Sequence, residues 1–390
     1  MQAIVYDLNH ERKISLGRKI AEGGEGEIRE IIGDKRICAK LYYRGKGSRE
    51  KIVAMLKNRP HDPMNPQHVS LAWPEALLLN ERRDFLGFVM PYVSAVPAHK
   101  IYSTESRIKM FGGSFNWFYL YTSALNFASV VACVHSKGYV IGDLNEKNIL
   151  VSPNAFVTLI DCDSFTVKDG NKVYRNNVGV SEYAAPEVLT RGYEYRTERS
   201  DRFAVAVFIF KFLMLGFHPF SCKWNDGGEP PSLESRIKAG ITPFFTSNSK
   251  VEPPPNAPPI SILPLEIRKL FERAFVLGCN FPSLRPTAQE WFRTLKFYAG
   301  LIRNGCRNKN HFYFSNLSSC PWCEYAKNKT DPFPTFLNCP TCNYRNSWNS
   351  IYCERCGSDL VQEYHRCPNC SSPIPANSIY CRVCGFKVKA

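Results

Sequence analysis

Four Cys-x-x-Cys pairs recur every 14 residues near the end of the chain: Cys339/Cys342, Cys353/Cys356, Cys367/Cys370 and Cys381/Cys384. Spacing this regular restricts the stretch to a fold organised around its sulfurs. The chain has 16 cysteines, and 11 of them lie after residue 300. The opening residues, MQAIVYDLNHER, hold no apolar run of the kind that directs secretion. Paired thiols in such a chain point to zinc ligation and not to disulfides. Even spacing leaves open which pairs share a metal, and the repeat resolves it. Asn349-Ser-Ile-Tyr-Cys353 returns as Asn377-Ser-Ile-Tyr-Cys381, so the period is 28 residues. Each unit reads CPxC, ten residues, CxxCG, with Gly357 and Gly385 allowing the tight second knuckle. Two tetrahedral thiolate sites are expected, one from Cys339, Cys342, Cys353 and Cys356, the other from Cys367, Cys370, Cys381 and Cys384.

Modules this short have little apolar core, so the metal supplies their folding free energy, on the order of 10 kcal/mol per site. Just upstream, Cys306, His311, Cys320 and Cys323 offer the ligands for a third zinc that fixes the tail to what precedes it. The other reading leaves His311 exposed in a loop, with only Cys320 and Cys323 paired. The aromatics among these residues (Phe312, Tyr313, Phe314, Trp322) are expected to cover the metal and pack on neighbouring helices. The five scattered cysteines, Cys38, Cys133, Cys162, Cys222 and Cys279, read as small core residues. Residues 301–390 carry 11 Lys and Arg against 5 Asp and Glu, an excess that zinc-bound thiolates nearly cancel. The formal net charge of +15 therefore leaves a diffuse basic surface on the first 300 residues, suited to phosphate-rich ligands as much as to nucleic acid.

A chain of 390 residues is long enough for two or three domains, and its 44% hydrophobic content supports an ordinary core. Composition shifts near residue 303. Before it, strand-like pieces come first (14–20, 27–32, 36–42, 76–79 and 85–92), with a helix capped by Ser48 running to about Asn58 between them. Helical patterns follow at 115–136, 201–215, 265–277 and 287–302, and the Pro-rich stretch 251–264 reads as an internal loop. The most apolar window, 203–217, is interrupted by Lys211 and too short to span a bilayer, so a soluble cytoplasmic protein without membrane association is expected.

Three sequence features in the first 300 residues carry chemistry. Ile20-Ala-Glu-Gly23-Gly24-Glu-Gly26-Glu-Ile28 lies between two strands, where glycines let backbone amides approach phosphates; a plain β-turn is the other reading. Fourteen residues beyond Gly26, Lys40 ends an apolar strand. The third is Gly142-Asp143-Leu-Asn145-Glu-Lys-Asn148-Ile-Leu-Val, followed by Leu159-Ile-Asp161 on the next strand. Transfer of a γ-phosphoryl group needs a carboxylate beside the attacking hydroxyl and oxygen ligands for Mg²⁺. Asp143, Asn148 and Asp161 supply those groups, unless they are only the turn residues of a hairpin.

From Ile14 to Ile302 the chain resembles the protein kinase family. The resemblance implies an α+β fold of two lobes, a small β-rich N-lobe (about 1–92) and a large α-rich C-lobe (about 93–302). A zinc-binding junction (303–335) and a segment similar to a double zinc ribbon (336–390) follow. Gly23 and Gly26 fall on the second and third glycines of the family's phosphate loop, with Gly24 between, and Lys40 on its phosphate-binding lysine. Glu50 is then the expected helix partner of that lysine. Asp143 falls on the catalytic aspartate, and Asn148 and Asp161 on the magnesium ligands. Met90 takes the gatekeeper position and Val93 the backbone contact to adenine, though Met90 is also an ordinary core residue. Glu187 of Tyr183-Ala-Ala-Pro186-Glu187 and Arg285 are expected to pair, and Asp201 falls on the buried aspartate of the helix after that motif. ATP, Mg and Zn are the implied cofactors.

Departures from the family pattern bear on activity. Ile141-Gly142 stands in place of His-Arg, Asn145 in place of a phosphate-steadying lysine, and Val180 in place of the threonine that contacts it. Ala21 replaces a loop glycine, and Cys162-Asp163 replaces Phe-Gly. Asp163 offers another metal oxygen or is a solvated turn residue. The Gly-Asp-Leu-Asn loop, the Asp-Cys-Asp-Ser-Phe element, Trp73-Pro74 and Cys320-Pro-Trp-Cys323 are similar to bacterial zinc-ribbon kinases of the tellurite-resistance-associated triad. That likeness implies a stress-response serine/threonine kinase partnered by a von Willebrand A-type protein and a metal-dependent phosphatase. A nucleotide-binding pseudokinase scaffold is the alternative. A kinase directed to nucleic acid by its ribbons is disfavoured by the tail's near-neutral charge.

Overall fold

The computed structural model of the chain describes residues 1–175, 179–347, 350–360, 364–370, 373–375, 384 and 386–387. Residues 2–91 form a closed antiparallel barrel in the order β1-β2-β3-β4-β6-β5. Its strands are β1 (Gln2–Tyr6), β2 (Glu11–Glu22), β3 (Gly26–Ile31), β4 (Asp34–Tyr42), β5 (Ala76–Leu79) and β6 (Phe85–Pro91). The first strand was not among the expected ones. Ala3 and Val5 turn inward beside Ile14, Leu16 and Val89. By pairing with β2 on one side and β5 on the other, β1 leaves the sheet without a free edge.

Helix α1 (Arg49–Lys57) spans the connection from β4 to β5. Ser48 caps it by accepting from the Lys51 amide, and Ile52, Ala54 and Met55 are buried. Trp73 then ties this helix to the rest of the chain. Its indole donates to the Met55 carbonyl at 2.9 Å, and its ring stacks on Tyr139.

The body that follows is mostly helical. It contains α2 (Thr104–Phe111), α3 (Trp117–Ser136), α4 (Pro186–Arg191), α5 (Glu198–Leu213), α6 (Leu233–Ala239), α7 (Leu265–Glu272), α8 (Gly278–Asn280) and α9 (Ala288–Ala299). A small sheet of β7 (Val96–Pro97), β8 (Ile149–Val151) and β9 (Val157–Leu159) lies among them, followed by the hairpin β10 (Val167–Asp169) and β11 (Lys172–Tyr174). The ribbon of β12 (Lys223–Trp224) with β13 (Val251–Glu252) borders the Pro-rich loop. Helix α7 does not run straight to Leu277 as expected; residues 273–277 form a π-helical turn. The expected helix 287–302 starts at Ala288 behind a Thr287/Glu290 capping box and stops at Ala299.

Helix α3 is the centre of this body, packed between α5 and α9. Trp117 donates to the Leu213 carbonyl at 3.0 Å and Tyr121 to the Leu295 carbonyl at 2.8 Å. By length and composition α3 is apolar enough to cross a bilayer, a property the sequence reading did not note. In this fold Leu120, Tyr121, Ala124, Phe127, Val130 and Val131 on it are core residues with no exposed surface.

After α9 come β14 (Ile302–Asn304), β15 (Phe312–Phe314), α10 (Pro321–Tyr325), β16 (Phe336–Asn338), β17 (Arg345–Ser347), β18 (Tyr364–Arg366) and β19 (Pro373–Pro375), the strands pairing as three hairpins. Aromatic packing fixes the first hairpin onto α3. Phe314 lies 5.4 Å from Trp117 and 5.6 Å from Tyr121, and Trp322 lies 5.7 Å from Trp117. Polar contacts add to it. Buried Arg107 on α2 donates to the Pro332 carbonyl, and Asn310 donates to the Gly113 carbonyl at 2.6 Å.

Candidate active site

Asp201, near the start of α5 and 3% exposed, organises the catalytic loop. Its carboxylate accepts the Ile141 amide at 2.6 Å and the Gly142 amide at 2.9 Å, and His135 Nε2 lies 3.1 Å away. Lys211, the residue that breaks the apolar run of α5, pairs with Glu146 at 2.8 Å and holds the loop from below. The loop's own polar bonds then set Asp143. Asn145 Nδ2 donates to Asp143 Oδ2 at 3.2 Å, while Asn145 Oδ1 accepts the amides of Lys147 and Asn148. Asp143 Oδ1 is buried and has no hydrogen-bond partner among the described residues.

Asn148 Nδ2 donates to the Asp143 carbonyl at 3.4 Å, and the Asn148 carbonyl accepts the Ile160 amide at 3.0 Å. In the β8–β9 hairpin Ile149 faces Leu159, so Asn148 and Asp161 leave it at the same end. Asp161 adopts the left-handed conformation (φ 58°) and turns its carboxylate to Lys40 Nζ, 2.6 Å away. The hairpin thus sets Asn148, which touches the Asp143 carbonyl, at the same end as Asp161, which reaches Lys40 of β4.

The partner of Lys40 is where the sequence reading fails. Glu50 lies on the exposed side of α1 and accepts from the Ser48 hydroxyl at 3.0 Å. Asp163 takes the place expected of Glu50, with its oxygens 2.7 and 2.8 Å from Lys40 Nζ. Tyr42, two residues along β4, donates to the same carboxylate at 2.5 Å. The Asp163 side chain is 2% exposed, so it is not a solvated turn residue. Burial alone would lower the Lys40 ammonium, but the Asp163 and Asp161 carboxylates outweigh it and hold the group above its usual value. Burial and the Asp163 charge push Asp161 upward, with Lys40 acting against them.

Two further residues reach the site without having been foreseen. Lys51 occupies the turn of α1 facing it, its charge acting on Asp163, Glu25, Lys40 and Asp161. Arg196, from the segment after α4, brings a buried guanidinium to the catalytic loop. Gly142 has φ +74°, and a Cβ there would stand 3.3 Å from Arg196 Nη1; a Cβ on Gly179 would collide with the same group. The glycine in the usual arginine's place therefore makes room for an arginine from elsewhere in the chain.

Gly23 and Gly24 form the turn between β2 and β3, with open space where their Cβ atoms would be. Gly26 is already in β3, and a side chain there would meet the Leu41 carbonyl, so strand pairing explains this glycine. Met90 is a buried β6 residue opposite Cys38, and Val93 is half-buried in the link to β7. Arg285 makes a two-pronged contact with Glu187, 2.7 Å on each arm.

The tail gathers three clusters. Cys306, His311, Cys320 and Cys323 place their ligand atoms within 4.8 Å of one another, as do Cys339, Cys342, Cys353 and Cys356, and Cys367, Cys370 and Cys384. Cys381, the expected fourth ligand of the last group, lies outside the described residues. Sulfurs of Cys339/Cys356, Cys342/Cys353 and Cys367/Cys384 are 3.5, 3.6 and 3.6 Å apart. That is far beyond the roughly 2.05 Å of a disulfide. It is close to the edge, roughly 3.8 Å, of a tetrahedron whose arms are about 2.3 Å Zn–S bonds. His311 turns Nδ1 to Cys320 and Cys323 at 3.4 and 3.3 Å, while Asp331 holds Nε2 at 2.9 Å, the outer contact that orients a metal-binding imidazole. Where the β8–β9 hairpin ends, the Asp161 carboxylate and the Asn148 amide oxygen are hard donors of the kind suited to Mg²⁺.

The sequence profile of the protein kinase domain matches residues 77–294, and that of the double zinc ribbon matches residues 339–385. The chain belongs to the protein kinase family and ends in a double zinc ribbon. Protein kinase YegI of Escherichia coli K12 is 33% identical over 321 residues, covering 79% of this chain and 48% of that protein. YegI of Escherichia coli O157:H7 is 32% identical over 322 residues, covering 80% and 48%. Serine/threonine-protein kinase kin-29 of Caenorhabditis elegans is 34% identical over 93 residues, 24% of this chain and 11% of its own length. The chain spans about half the length of the YegI proteins. The kinase profile begins at Leu77, after the glycine turn and Lys40.

Proposed function

We propose that the chain is an ATP-dependent protein kinase acting on serine or threonine of a partner protein, with the barrel as the small lobe and the helical body as the large one. The observation that carries this reading is the buried Asp143 Oδ1, left without a partner beside Asn148 and the Asp161–Lys40 pair. In this reading Lys40 grips the α- and β-phosphates under the turn at Gly23 and Gly24. Asp143 Oδ1 accepts a hydrogen bond from the acceptor hydroxyl and orients its oxygen toward the γ-phosphorus. The new P–O bond forms as the bond to the ADP oxygen breaks, and the hydroxyl proton passes to Asp143. Asn148 and Asp161 would hold magnesium, which neutralises charge on the phosphates when bound. Residues from Met90 to Val93 would receive the adenine.

The ribbons are read as zinc-bound docking modules for partner proteins, and the cluster around His311 as a third zinc site. The likeness to triad kinases makes a von Willebrand A-type protein the first acceptor to try, with a metal-dependent phosphatase as its counterpart. The second reading, a nucleotide-binding scaffold, draws support from Asn145, whose amide caps the loop where a lysine would steady the phosphate. Incubating the purified chain with γ-labelled ATP and that acceptor, followed by phosphoamino-acid analysis, separates the two. Phosphoserine or phosphothreonine, lost in Lys40→Met, is expected. Nucleotide binding without labelled product would leave only the scaffold.

A further inference from the structure

The anchor of Lys40 lies in an unexpected part of the chain. Asp163 and Tyr42 surround its ammonium from the turn after β9 and from β4 itself, leaving no role for a carboxylate of α1. The helix could not readily supply one. Glu50 is on the solvent side, and the residue facing the acids is Lys51, a cation. Consecutive residues are about 100° apart around a helix, so Glu50 does not point at the acids while Lys51 does, and the face that Lys51 shares packs inward through Ile52 and Met55. Those two side chains are 1% and 0% exposed. Within the described residues, Lys51 has no carboxylate at ion-pair distance.

We propose that Asp163 is the positioning residue for Lys40, and that the phosphate-binding lysine is therefore set by the turn Cys162–Ser164 and not by the orientation of α1. Asp161 and Asp163 then divide the work. Asp161 gives up its contact with Lys40 when a metal-bound nucleotide arrives, while Asp163 keeps the ammonium in place. A kinase built this way does not switch by swinging α1 in and out.

The inference rests on the nucleotide-binding reading, and its test is a binding measurement so that absence of turnover does not decide it. On the full chain, dissociation constants for a non-hydrolysable ATP analogue with magnesium, and melting temperatures with and without it, are compared for Glu50→Gln, Asp163→Asn, Asp163→Glu and Tyr42→Phe. Glu50→Gln is expected to bind within about twofold of the unmodified chain, since an exposed charge of this kind contributes little. Asp163→Asn is expected to weaken binding roughly 10- to 100-fold, the scale of a lost charge-assisted contact. Asp163→Glu should recover part of that loss, which a purely structural role would not predict. If Asp163→Asn does not fold, Tyr42→Phe decides, with weakening of about threefold or more expected on loss of one hydrogen bond. The proposal is overturned if Glu50→Gln loses as much affinity as Asp163→Asn. It is also overturned if folded Asp163→Asn binds normally, or if Tyr42→Phe binds normally where Asp163→Asn does not fold.

Discussion

Single side chains in this protein act through contacts distant in sequence. Lys40 and Asp163 are 123 residues apart and meet only because β4 and the turn after β9 face each other. The family resemblance pointed to Glu50 because it is the one acidic residue of the helix that follows Lys40. It could not register that the inward position is one residue later. Asp161 and Asn148 were legible because a hairpin of fixed register sets them side by side. His218 is another residue whose role depends on its surroundings. Its Nε2 donates to the Glu182 carbonyl and its Nδ1 accepts the Phe220 amide, fixing a neutral ring. Burial, with the Lys211 charge nearby, pulls its pKa from 6.5 to about 3. Between these values the unfolded chain binds a proton that the folded chain does not, so stability falls as pH drops from 6.5 toward 3. Urea unfolding at pH 7.5 and 4.5 should show the unmodified chain losing about 2–3 kcal/mol more than His218→Gln. Equal losses would mean that His218 is not buried in its neutral form.

Among the elements, those with strong local signals were the most legible. Ser48 caps α1 as its hydroxyl predicts, the apolar pattern of 115–136 became α3, and Thr287, read as the first residue of its helix, is instead the cap of α9. Strand β1 was missed because five residues of alternating pattern carry little signal until β2 and β5 flank them. The end of α9 was placed three residues late because nothing local marks the switch to β14. The segment from Asp161 to Glu187 is held at its far end by Arg285, whose side chain has no exposed surface. Arg285 also donates to the Gly278 and Arg199 carbonyls. Its replacement leaves Glu187 and both carbonyls unsatisfied, so Arg285→Met should cost about 3 kcal/mol or more in chemical unfolding. A loss below about 1 kcal/mol would assign this arginine a surface role only.

At the scale of the whole molecule, the helical body and the junction share one apolar core with the outer face of the barrel, while the barrel interior keeps a core of its own. Trp117, Tyr313, Phe314, Trp322 and Phe333 all belong to the cluster that includes α5 and α9. The His311 cluster should therefore stabilise the kinase body as well as the tail. Cys320→Ser is expected to lower the main melting transition by several degrees, on the order of 1–2 kcal/mol, whereas Cys353→Ser should alter only the tail. Metal analysis should find zinc in the unmodified chain and less in each variant. Identical melting of the two variants would contradict a structural link through the junction.

The central claim is that Asp143, Asn148 and Asp161 form one site that binds magnesium-ATP and transfers its terminal phosphate. The most direct test measures nucleotide binding and phosphoryl transfer together in the unmodified chain and in Asp143→Asn. In the proposed reading Asp143 Oδ1 would receive the acceptor hydroxyl and not the nucleotide, so the variant should bind the non-hydrolysable analogue within about threefold of normal while transfer falls roughly 100- to 10,000-fold. Transfer that survives in Asp143→Asn, or an unmodified chain that binds the analogue and transfers nothing to any hydroxyl, would contradict the account.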